Sequence, residues 1–428
     1  MNKTIINFKI LTFLLLASFV VNADLIIKNN DAHTESLRAL LAEEKILVNP
    51  EDAIGGQMFG NAVSISGNRA LIGANRDNLN GSFSGSAYIF EFIGSQWVQT
   101  QKITGDDTIT NDGFGYSVSL GQDRLLVGAY SKIIDGVASA GAVYVFDFSN
   151  GVWNQTARLT ANIPLLTAQF GYSVSLFGDK ALIGAPSNGT GVAHVFEIDE
   201  DTLEWIQSTT LLANDGAFGD RFGQSVSLYQ NRGLVGANQT QPGRNGTAYI
   251  FESLSNNQQT KLIASDGQDR DGFGISVSLF ENRALIGASK DDDINGESSG
   301  SAYIFDLDTM NDLWVETEKL TANDAAGNDE FGHSVSLHGD RVLIGAWSDD
   351  DNGVNSGSIY FYDFDGDFWN QSDKLTPSEG SSGEEFGRAV FLTHDWAIAG
   401  TIKDSDNGSA AGAAYAYRED VIFVSGFD

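Results

Sequence analysis

The sequence predicts an all-β protein, a seven-bladed β-propeller built from four-stranded antiparallel blades. The dipeptide Phe-Gly occurs seven times at regular intervals, and a further glycine follows each of these phenylalanines after fourteen residues without exception. The intervals of 51 to 58 residues leave room for four short strands and their turns, which is typical of propeller blades. The phenylalanines are Phe59, Phe114, Phe170, Phe222, Phe273, Phe331 and Phe386.

Each unit contains four strand signals in a fixed order. After Phe-Gly, apolar and small polar residues alternate, as in residues 117–120, which predicts a strand with one buried side. A short turn such as residues 178–179 and an apolar run such as residues 284–286 complete a tight hairpin. The third strand begins at a glycine and usually carries Tyr and Phe, as in residues 300–305. The fourth pairs an aromatic residue with a basic one five positions later, as in residues 369–374.

The two ends of the repeat predict how the ring closes. No fourth strand follows residues 412–417 of the seventh unit, but the segment 45–49 (Lys-Ile-Leu-Val-Asn) matches 319–323 (Lys-Leu-Thr-Ala-Asn) of the fifth. The start of the chain therefore supplies the missing strand in a 3+1 clasp, because an unpaired blade edge would expose free backbone groups. We predict a propeller over residues 44–420 and a tail over 421–428. Before them we predict a lead-in over 24–43, with a short helical segment at 37–44.

The first 23 residues predict a signal peptide. Lys3 and Lys9 precede an apolar stretch over residues 10–21, and small or branched residues lead up to Ala23, after which we expect cleavage. A retained membrane anchor would need about 20 apolar residues, which this stretch does not reach. We therefore expect an exported protein, either secreted or held in the periplasm or at the cell surface, without membrane insertion.

The charge balance excludes some partners. The chain has 57 Asp and Glu against 25 Lys and Arg, a formal net charge of −32, and no Cys. Such a surface repels phosphate backbones and anionic lipid head groups, so we expect no nucleic-acid partner. A hydrophobic content of 42% is enough for a sizeable core. We expect a monomer stabilised by packing and hydrogen bonds.

The repeated motifs resemble a known family. The Phe-Gly dipeptide, the Ser-Val-Ser strand and the later Gly-Ala, once followed by proline at residues 184–186, are similar to bacterial FG-GAP repeats, which are related to the propeller of the integrin α-subunit. The resemblance covers roughly residues 44–420 and implies the fold. In integrin-type repeats that bind calcium, an Asp-rich loop separates the first two strands. Here that connection is a tight turn in all seven units, so the family's usual calcium site is not carried over.

The acidic residues of this chain stand in other loops. The loops between strands two and three, and those between strand four and the next blade, emerge on one face, which we expect to be strongly negative. Asp291, Asp293 and Asn295 match positions 1, 3 and 5 of a calcium loop, although Ala302 stands where a bidentate Glu is needed. Further candidate ligands are Asp349 and Asp351. Calcium is thus a candidate cofactor, and solvated turn acids are the simpler alternative.

Candidate ligand-binding residues are those that vary inside the constant frame. The residue after Phe-Gly differs from unit to unit and should line the mouth of the central channel, and Trp347 and Tyr130 follow the second strand at the start of variable loops. An exposed indole at Trp347 could serve as a sugar or peptide platform, with a loop anchor as the alternative. Unselected drift explains the variation equally well. The candidates are Trp347, Tyr130, His333, Tyr116, Tyr172 and Arg388.

These observations favour a secreted or surface-exposed binding or adhesion propeller that recognises an extracellular protein or glycan through one acidic loop face. The five histidines lack metal-ligand spacing and no nucleophile elbow is present, so we do not expect an enzyme. Two alternatives stay open. One is a polysaccharide-acting glycosidase or lyase whose site is assembled from several blades, and the other is a non-catalytic structural protein of the cell envelope.

Overall fold

The computed structural model describes residues 42–49, 51–239, 243–292, 296–406 and 408–418. These residues lie in one compact unit, Ala39–Val421. They form 28 β-strands, and in this part of the chain no helix is long and apolar enough to cross a membrane. The predicted signal peptide, the lead-in before Ala42 and the tail lie outside the described residues.

The strands form seven four-stranded antiparallel sheets, as predicted. In blades 1 to 6 the four strands are consecutive in the chain, whereas blade 7 combines the last three strands with the first. The strands of blades 1 to 3 are β2 (Phe59–Ser66), β3 (Arg69–Ala74), β4 (Ser86–Ile93), β5 (Gln96–Ile103); β6 (Phe114–Leu120), β7 (Arg124–Ala129), β8 (Ala142–Ser149), β9 (Val152–Leu159); β10 (Ser173–Phe177), β11 (Lys180–Ala185), β12 (Val192–Ile198) and β13 (Trp205–Leu211). Those of blades 4 to 7 are β14 (Ser225–Tyr229), β15 (Arg232–Ala237), β16 (Thr247–Phe251), β17 (Gln259–Leu262); β18 (Ser276–Phe280), β19 (Arg283–Ala288), β20 (Ser301–Asp308), β21 (Leu313–Leu320); β22 (Ser334–His338), β23 (Arg341–Ala346), β24 (Ser358–Phe364), β25 (Trp369–Leu375); and β26 (Ala389–Leu392), β27 (Trp396–Thr401), β28 (Ala413–Arg418), β1 (Ala42–Ile46).

The ring is closed by backbone contacts between neighbouring blades. A parallel bridge joins the glycine before each third strand to the phenylalanine of the next Phe-Gly, as between Gly85 and Phe114. The seventh bridge joins Phe59 to Gly412, and so connects blade 7 to blade 1. The first strand of each blade packs against that of the next, which makes these strands the innermost ones around the central channel.

Strand β1 supplies the predicted clasp. It pairs antiparallel with β28 over the register Ala42↔Arg418 to Ile46↔Ala414. The side chains of Ile46 and Val48 are each only 1% exposed. The strand begins two residues before the predicted propeller boundary. The predicted helical segment at 37–44 is therefore wrong for residues 42–44, because pairing with the free edge of β28 overrides the helix preference of alanine and glutamate.

The fourteen-residue spacing has a steric cause. A Cβ atom added at Gly73 would lie 2.0 Å from the carbonyl oxygen of Gly115 in the next blade. At Gly400 it would lie 1.9 Å from that of Gly60, across the junction of blades 7 and 1. Each second strand thus approaches the next Phe-Gly so closely that only glycine fits.

Aromatic side chains fill the space between sheets. Each Phe of a Phe-Gly is buried against the third-strand aromatic residue of its blade, as in the edge-on contact of Phe59 and Tyr88, whose ring centroids are 5.4 Å apart. The recurring fourth-strand tryptophans are buried or half-buried, and arginines of the preceding blade stack on four of them. For example, the guanidinium of Arg283 lies 4.9 Å from the Trp369 ring.

Two classes of loop emerge together on one face. The loop after β3 and the loop after β5 are joined by backbone hydrogen bonds, including Asn111 N to Ser82 O at 2.9 Å and Gly113 N to Phe83 O at 3.1 Å. We call this side, with the equivalent loops of the other blades, the loop face. The opposite side carries the tight turns between first and second strands and is called the turn face.

Candidate functional site

The residues after Phe-Gly lie next to one another where the innermost strands leave the loop face. Asn61 donates a hydrogen bond to the carbonyl oxygen of Tyr116 at 2.9 Å, the Tyr116 ring lies 4.9 Å from the Tyr172 ring, and Gln224 donates to the Tyr172 hydroxyl at 3.4 Å. This group, with Ile275, His333 and Arg388, is called the mouth ring.

Three tyrosines form one cluster in the mouth ring and the adjacent loop. Tyr130, which follows β7, lies 4.3 Å from Tyr116 and 6.0 Å from Tyr172 between ring centroids. Burial raises the pKa of Tyr116 well above its usual value, and the neighbouring Tyr172 raises it further. Tyr116 is therefore neutral, and the three rings together offer rigid aromatic surfaces typical of sites that stack on planar or sugar groups.

A second cluster brings together three of the predicted residues around Glu330. The Trp347 indole donates to Glu330 at 3.0 Å, and its ring lies 5.8 Å from the His333 ring and 5.0 Å from the Arg388 guanidinium. Lys290 also pairs with Glu330. Burial alone would raise the pKa of Glu330, but contacts with His333, Lys290 and Trp347 hold it at about 2. Trp347 is thus anchored by its nitrogen while its ring takes part in a cation–π contact.

Two cavities of about 300 Å³ open on the loop face beside these clusters. The first, between blades 1 and 2, is lined by residues that include Arg76, Phe83 and Tyr130. The second, between blades 4 and 5, is lined by residues that include Arg270 and His333.

Several buried polar atoms at the mouth have no hydrogen-bond partner among the described residues. They include the side-chain carbonyl oxygens of Asn75, Gln224 and Asn238. Asn75 and Asn238 are only 9% and 8% exposed. Burying an unsatisfied acceptor is costly, so these atoms are suited to accept hydrogen bonds from water or a ligand.

The outer part of the loop face is organised by lysines. In blades 1, 4, 5, 6 and 7 the lysine just before the end of the fourth strand lies within ion-pair distance of loop aspartates and near the third-strand tyrosine, and we call each such group a rim clamp. In blade 6, Lys374 Nζ lies 2.7 Å from Asp324, 2.9 Å from Asp349 and 2.5 Å from Asp351. The Tyr360 hydroxyl donates to Asp349 at 2.8 Å. The clamp lysines are Lys45, Lys102, Lys261, Lys319 and Lys374.

The clamp of blade 6 shifts the pKa values of two of its members. Burial alone would raise the pKa of Asp349, but hydrogen bonding to Lys374 is the main cause that holds it below its usual value. Burial lowers the pKa of Lys374, yet its hydrogen bonds to the three aspartates more than offset this and raise the pKa. Asp349 and Lys374 are therefore both ionised at neutral pH.

The predicted calcium ligands fall within this arrangement. Asp291 lies 2.7 Å from the Lys319 ammonium and accepts a 2.5 Å hydrogen bond from Ser301, while Asp349 and Asp351 share Lys374. Asp293 and Asn295 lie outside the described residues. Among the residues that are described, no group of three or more His, Asp or Glu side chains is arranged to hold a metal ion. An ammonium group already stands among these carboxylates, so they do not fit calcium unless the lysine is displaced.

The structure brings together all six predicted ligand-binding residues, in the two clusters described above. Sequence analysis missed Arg76, Arg221 and Arg270, which lie in the adjoining loops. Arg221 directly precedes the Phe-Gly of blade 4, at a position that differs in most units, and this variation is the one signal that pointed to it.

Comparisons with known proteins agree with the repeat analysis. A family model described as FG-GAP repeat matches seven segments: residues 42–90, 97–146, 153–196, 205–251, 257–305, 314–362 and 369–417. The chain is also 26% identical over 186 residues to integrin alpha-2 of Mus musculus, a match that covers 41% of this chain. It covers only 14% of that relative's length.

Among solved structures, the crystal structure of Saccharomyces cerevisiae Sqt1 matches with a TM-score of 0.47 and 13% identity, over 84% of this chain and 83% of that one.

The seven family matches follow the blades in chain order, and the last of them ends within β28. The chain belongs to the FG-GAP repeat family.

Proposed function

We propose that this chain is an exported binding or adhesion propeller that recognises an extracellular protein or glycan through its loop face. The observation that carries the proposal is the contrast between a constant frame and variable mouth residues: the same strands and glycines recur seven times, while the mouth ring contains aromatic, amide, apolar and cationic side chains. A rigid repeat scaffold with different side chains at one rim is well suited to recognition.

The similarity to integrin alpha-2 supports a binding role rather than a catalytic one. The aspartates of the rim clamps would form the acidic outer part of the contact surface, and the aromatic clusters its centre. For localisation we propose cleavage of residues 1–23 and release or display outside the cytoplasm, as a monomer.

A binding screen tests the proposal. The purified full chain, immobilised, is exposed to arrays of glycans and cell-surface ectodomains in buffers with calcium or chelator. We expect at least one specific binder whose affinity falls about tenfold or more in Trp347→Ala, since removing a buried aromatic anchor commonly costs at least 1.4 kcal/mol. The matched control is Phe177→Ala, an aromatic residue on the turn face that is 40% exposed.

Binding that is lost in Phe177→Ala and kept in Trp347→Ala would place recognition on the wrong face and overturn the proposal. Incubation with the same glycans, followed by measurement of new reducing ends and of unsaturated sugar products, separates binding from hydrolysis or elimination. Turnover in that assay would favour the polysaccharide-acting alternative.

A further inference from the structure

Most cationic side chains of this protein pair with a carboxylate, and the few that do not pair in this way suggest a ligand. Acids outnumber bases by 57 to 25, so a cationic side chain readily finds a carboxylate partner. Every described lysine pairs with an acidic residue, and most described arginines do as well. Among the described residues, four arginines have no carboxylate partner: Arg76, Arg221, Arg270 and Arg418.

Three of these four arginines lie on the loop face around the mouth ring. Arg76 is exposed in the cavity between blades 1 and 2, with its guanidinium 5.6 Å from the Phe83 ring. Arg221 lies 6.0 Å from the Tyr172 ring, and its Nε is buried without a hydrogen-bond partner. Arg270 is exposed and lines the cavity between blades 4 and 5. The fourth, Arg418, stacks near Trp396 at the turn face.

The acids nearest the mouth do not neutralise these arginines. Glu330 is held by Lys290 and Trp347, and Glu385 by Lys403 and Arg388. Three guanidinium groups around the mouth thus have no carboxylate partner among the described residues, although the whole chain is strongly negative. An unpaired guanidinium beside an aromatic face is suited to bind a planar carboxylate or a sulfate.

Two further features of the mouth suit a sugar. The tyrosine cluster offers aromatic faces on which sugar rings can stack, as aromatic surfaces in binding sites do. The unpartnered carbonyl oxygens of Asn75 and Asn238, both more than nine-tenths buried, can accept hydrogen bonds from ligand hydroxyl groups. Each of these asparagines lines one of the two cavities that also contain an unpaired arginine.

We infer that the mouth binds an acidic saccharide, a sugar chain that carries carboxylate or sulfate groups. The inference deepens the proposed function and rests on it. The sugar rings stack on the tyrosine cluster, the anionic groups pair with Arg221 and Arg270, and hydroxyl groups donate to the buried asparagine oxygens. A peptide with many carboxylates has no sugar rings to stack on the tyrosine cluster, so it should bind more weakly than an acidic saccharide of similar charge.

Calorimetric titration of the full chain tests the inference with four probes. They are an oligosaccharide of hexuronic acid units, its carboxyl methyl ester, a sulfated oligosaccharide of equal length, and a hexa-aspartate peptide. We expect binding of the hexuronate, the sulfated sugar or both, weakened as salt is raised, and at least tenfold weaker binding of the neutral ester, since a charge-assisted hydrogen bond contributes about 1.5 to 3 kcal/mol.

Matched arginine variants locate the site. Arg221→Gln and Arg270→Gln should each weaken binding of the acidic sugar about tenfold. Arg418→Gln, which removes an equally unpaired arginine at the turn face, should leave it unchanged. Tyr172→Ala should weaken binding of both the acidic sugar and its ester, because it removes stacking and not charge.

Three outcomes would overturn the inference. The ester could bind as tightly as the acid, hexa-aspartate could bind as tightly with the same arginine dependence, or no probe could bind at millimolar concentration. If the screen described above still yields a loop-face binder in any of these cases, the proposed function stands and only the assignment of an acidic saccharide fails. If neither experiment yields a binder, both fail.

Discussion

The rim clamps and the mouth ring lie on the same loop face, but their charged groups are satisfied in different ways. At the rim, lysine, tyrosine and aspartate recur from blade to blade, and Lys319 Nζ lies within 2.7 Å of both Asp266 and Asp291. At the mouth, side chains change from blade to blade, and Arg221 has no carboxylate partner within the described part of the chain. The rim side chains therefore stabilise the blades, and the mouth side chains are left available for contact with a ligand.

Blade 3 shows what happens where the clamp is absent. Its fourth strand has Thr210 at the lysine position, and His194 replaces the third-strand tyrosine. The loops carry Ile163 and Asn188 where blade 6 has Asp324 and Asp349. Blade 3 therefore has neither the lysine nor the loop carboxylates of a rim clamp. This joint change is expected physically, because one half of a buried ion pair left alone costs several kcal/mol whereas an uncharged set does not.

The largest effect on stability is expected for the clasp, in which β1 pairs with β28. Deleting residues 40–50 removes the pairing of β1 with β28, the buried Ile46 and Val48, and the ion pair of Lys45 with Asp404 at 2.8 Å. We expect the free energy of unfolding to fall by about 5 kcal/mol or more, with aggregation through the exposed edge. Thermal unfolding followed by circular dichroism and light scattering measures both.

The control for the clasp is Glu44→Gln, a polar change on the half-exposed side of the same strand. It should shift the melting temperature by no more than about 1 °C, as surface substitutions do. A deletion variant that melts like the intact chain would show that the clasp contributes nothing to stability.

A second prediction compares two clamps of different burial. Lys374→Met should lower the free energy of unfolding by about 3 kcal/mol, because Asp349, with a side chain only 3% exposed, loses its cationic partner. Lys261→Met, at the same strand position in blade 4, should cost less than about 1 kcal/mol, because its partner Asp215 is 52% exposed. Urea titration of both variants measures the difference.

The Lys374→Met variant also tests whether the lysine keeps calcium from binding to the clamp aspartates. Removal of Lys374 leaves Asp324, Asp349 and Asp351 without their shared ammonium, so millimolar calcium should raise the melting temperature of Lys374→Met more than that of the intact chain. A chelator should reverse the shift. An equal calcium response in the intact chain would show that the lysine does not compete with the ion.

The fourth prediction concerns pH and the clamp-free blade. Burial lowers the pKa of His194 from its usual value to about 4. Since the unfolded chain binds this proton more readily, the stability contributed by neutral His194 is complete above about pH 6.5 and decreases as the pH falls towards 4. Between pH 7 and pH 5 the loss from this group should be on the order of 2 kcal/mol.

Other buried groups also titrate in this range, so the measurement is a difference between variants. His194→Gln keeps a polar group near Thr210 without a titratable ring, and its free energy of unfolding should fall less between pH 7 and pH 5 than that of the intact chain. His394→Gln is the control, because that side chain is 85% exposed. Parallel pH profiles for all three proteins would contradict the account of His194.

Much of this fold follows from sequence periodicity, and the site follows only in part. The Phe-Gly spacing predicts the blades because it marks a steric contact between neighbours, as at Gly73 and Gly115. The five-residue spacing from Trp369 to Lys374 was also recognised in the sequence. A spacing along one strand does not show, however, that Lys374 pairs with loop aspartates 23 and 50 residues away in the chain. The acids expected to be free at the rim are in large part paired for this reason.

The arginines at the mouth could not be found from the sequence for a related reason. Whether Arg221 or Arg270 has a partner depends on which loops meet in space. Both directly follow an aspartate in the sequence, yet neither forms an ion pair with it, whereas Arg244 pairs with Asp220 from another loop. They are informative because no carboxylate of the described residues forms an ion pair with either, in a chain that is rich in carboxylates. That property belongs to the folded arrangement and not to any segment.

The smallest effect on stability is expected for substitutions at the mouth. Comparing it with the effect of a rim substitution is the most direct test of the difference between the two regions. If the unpaired arginines serve a ligand and not the fold, Arg221→Gln and Arg270→Gln should change the free energy of unfolding by less than about 0.5 kcal/mol, as substitutions outside stabilising networks do. Urea titration beside Lys374→Met gives the comparison on one scale. A loss above about 2 kcal/mol in either arginine variant would mean that the side chain stabilises the blades as a clamp lysine does, and the division between rim and mouth would no longer hold.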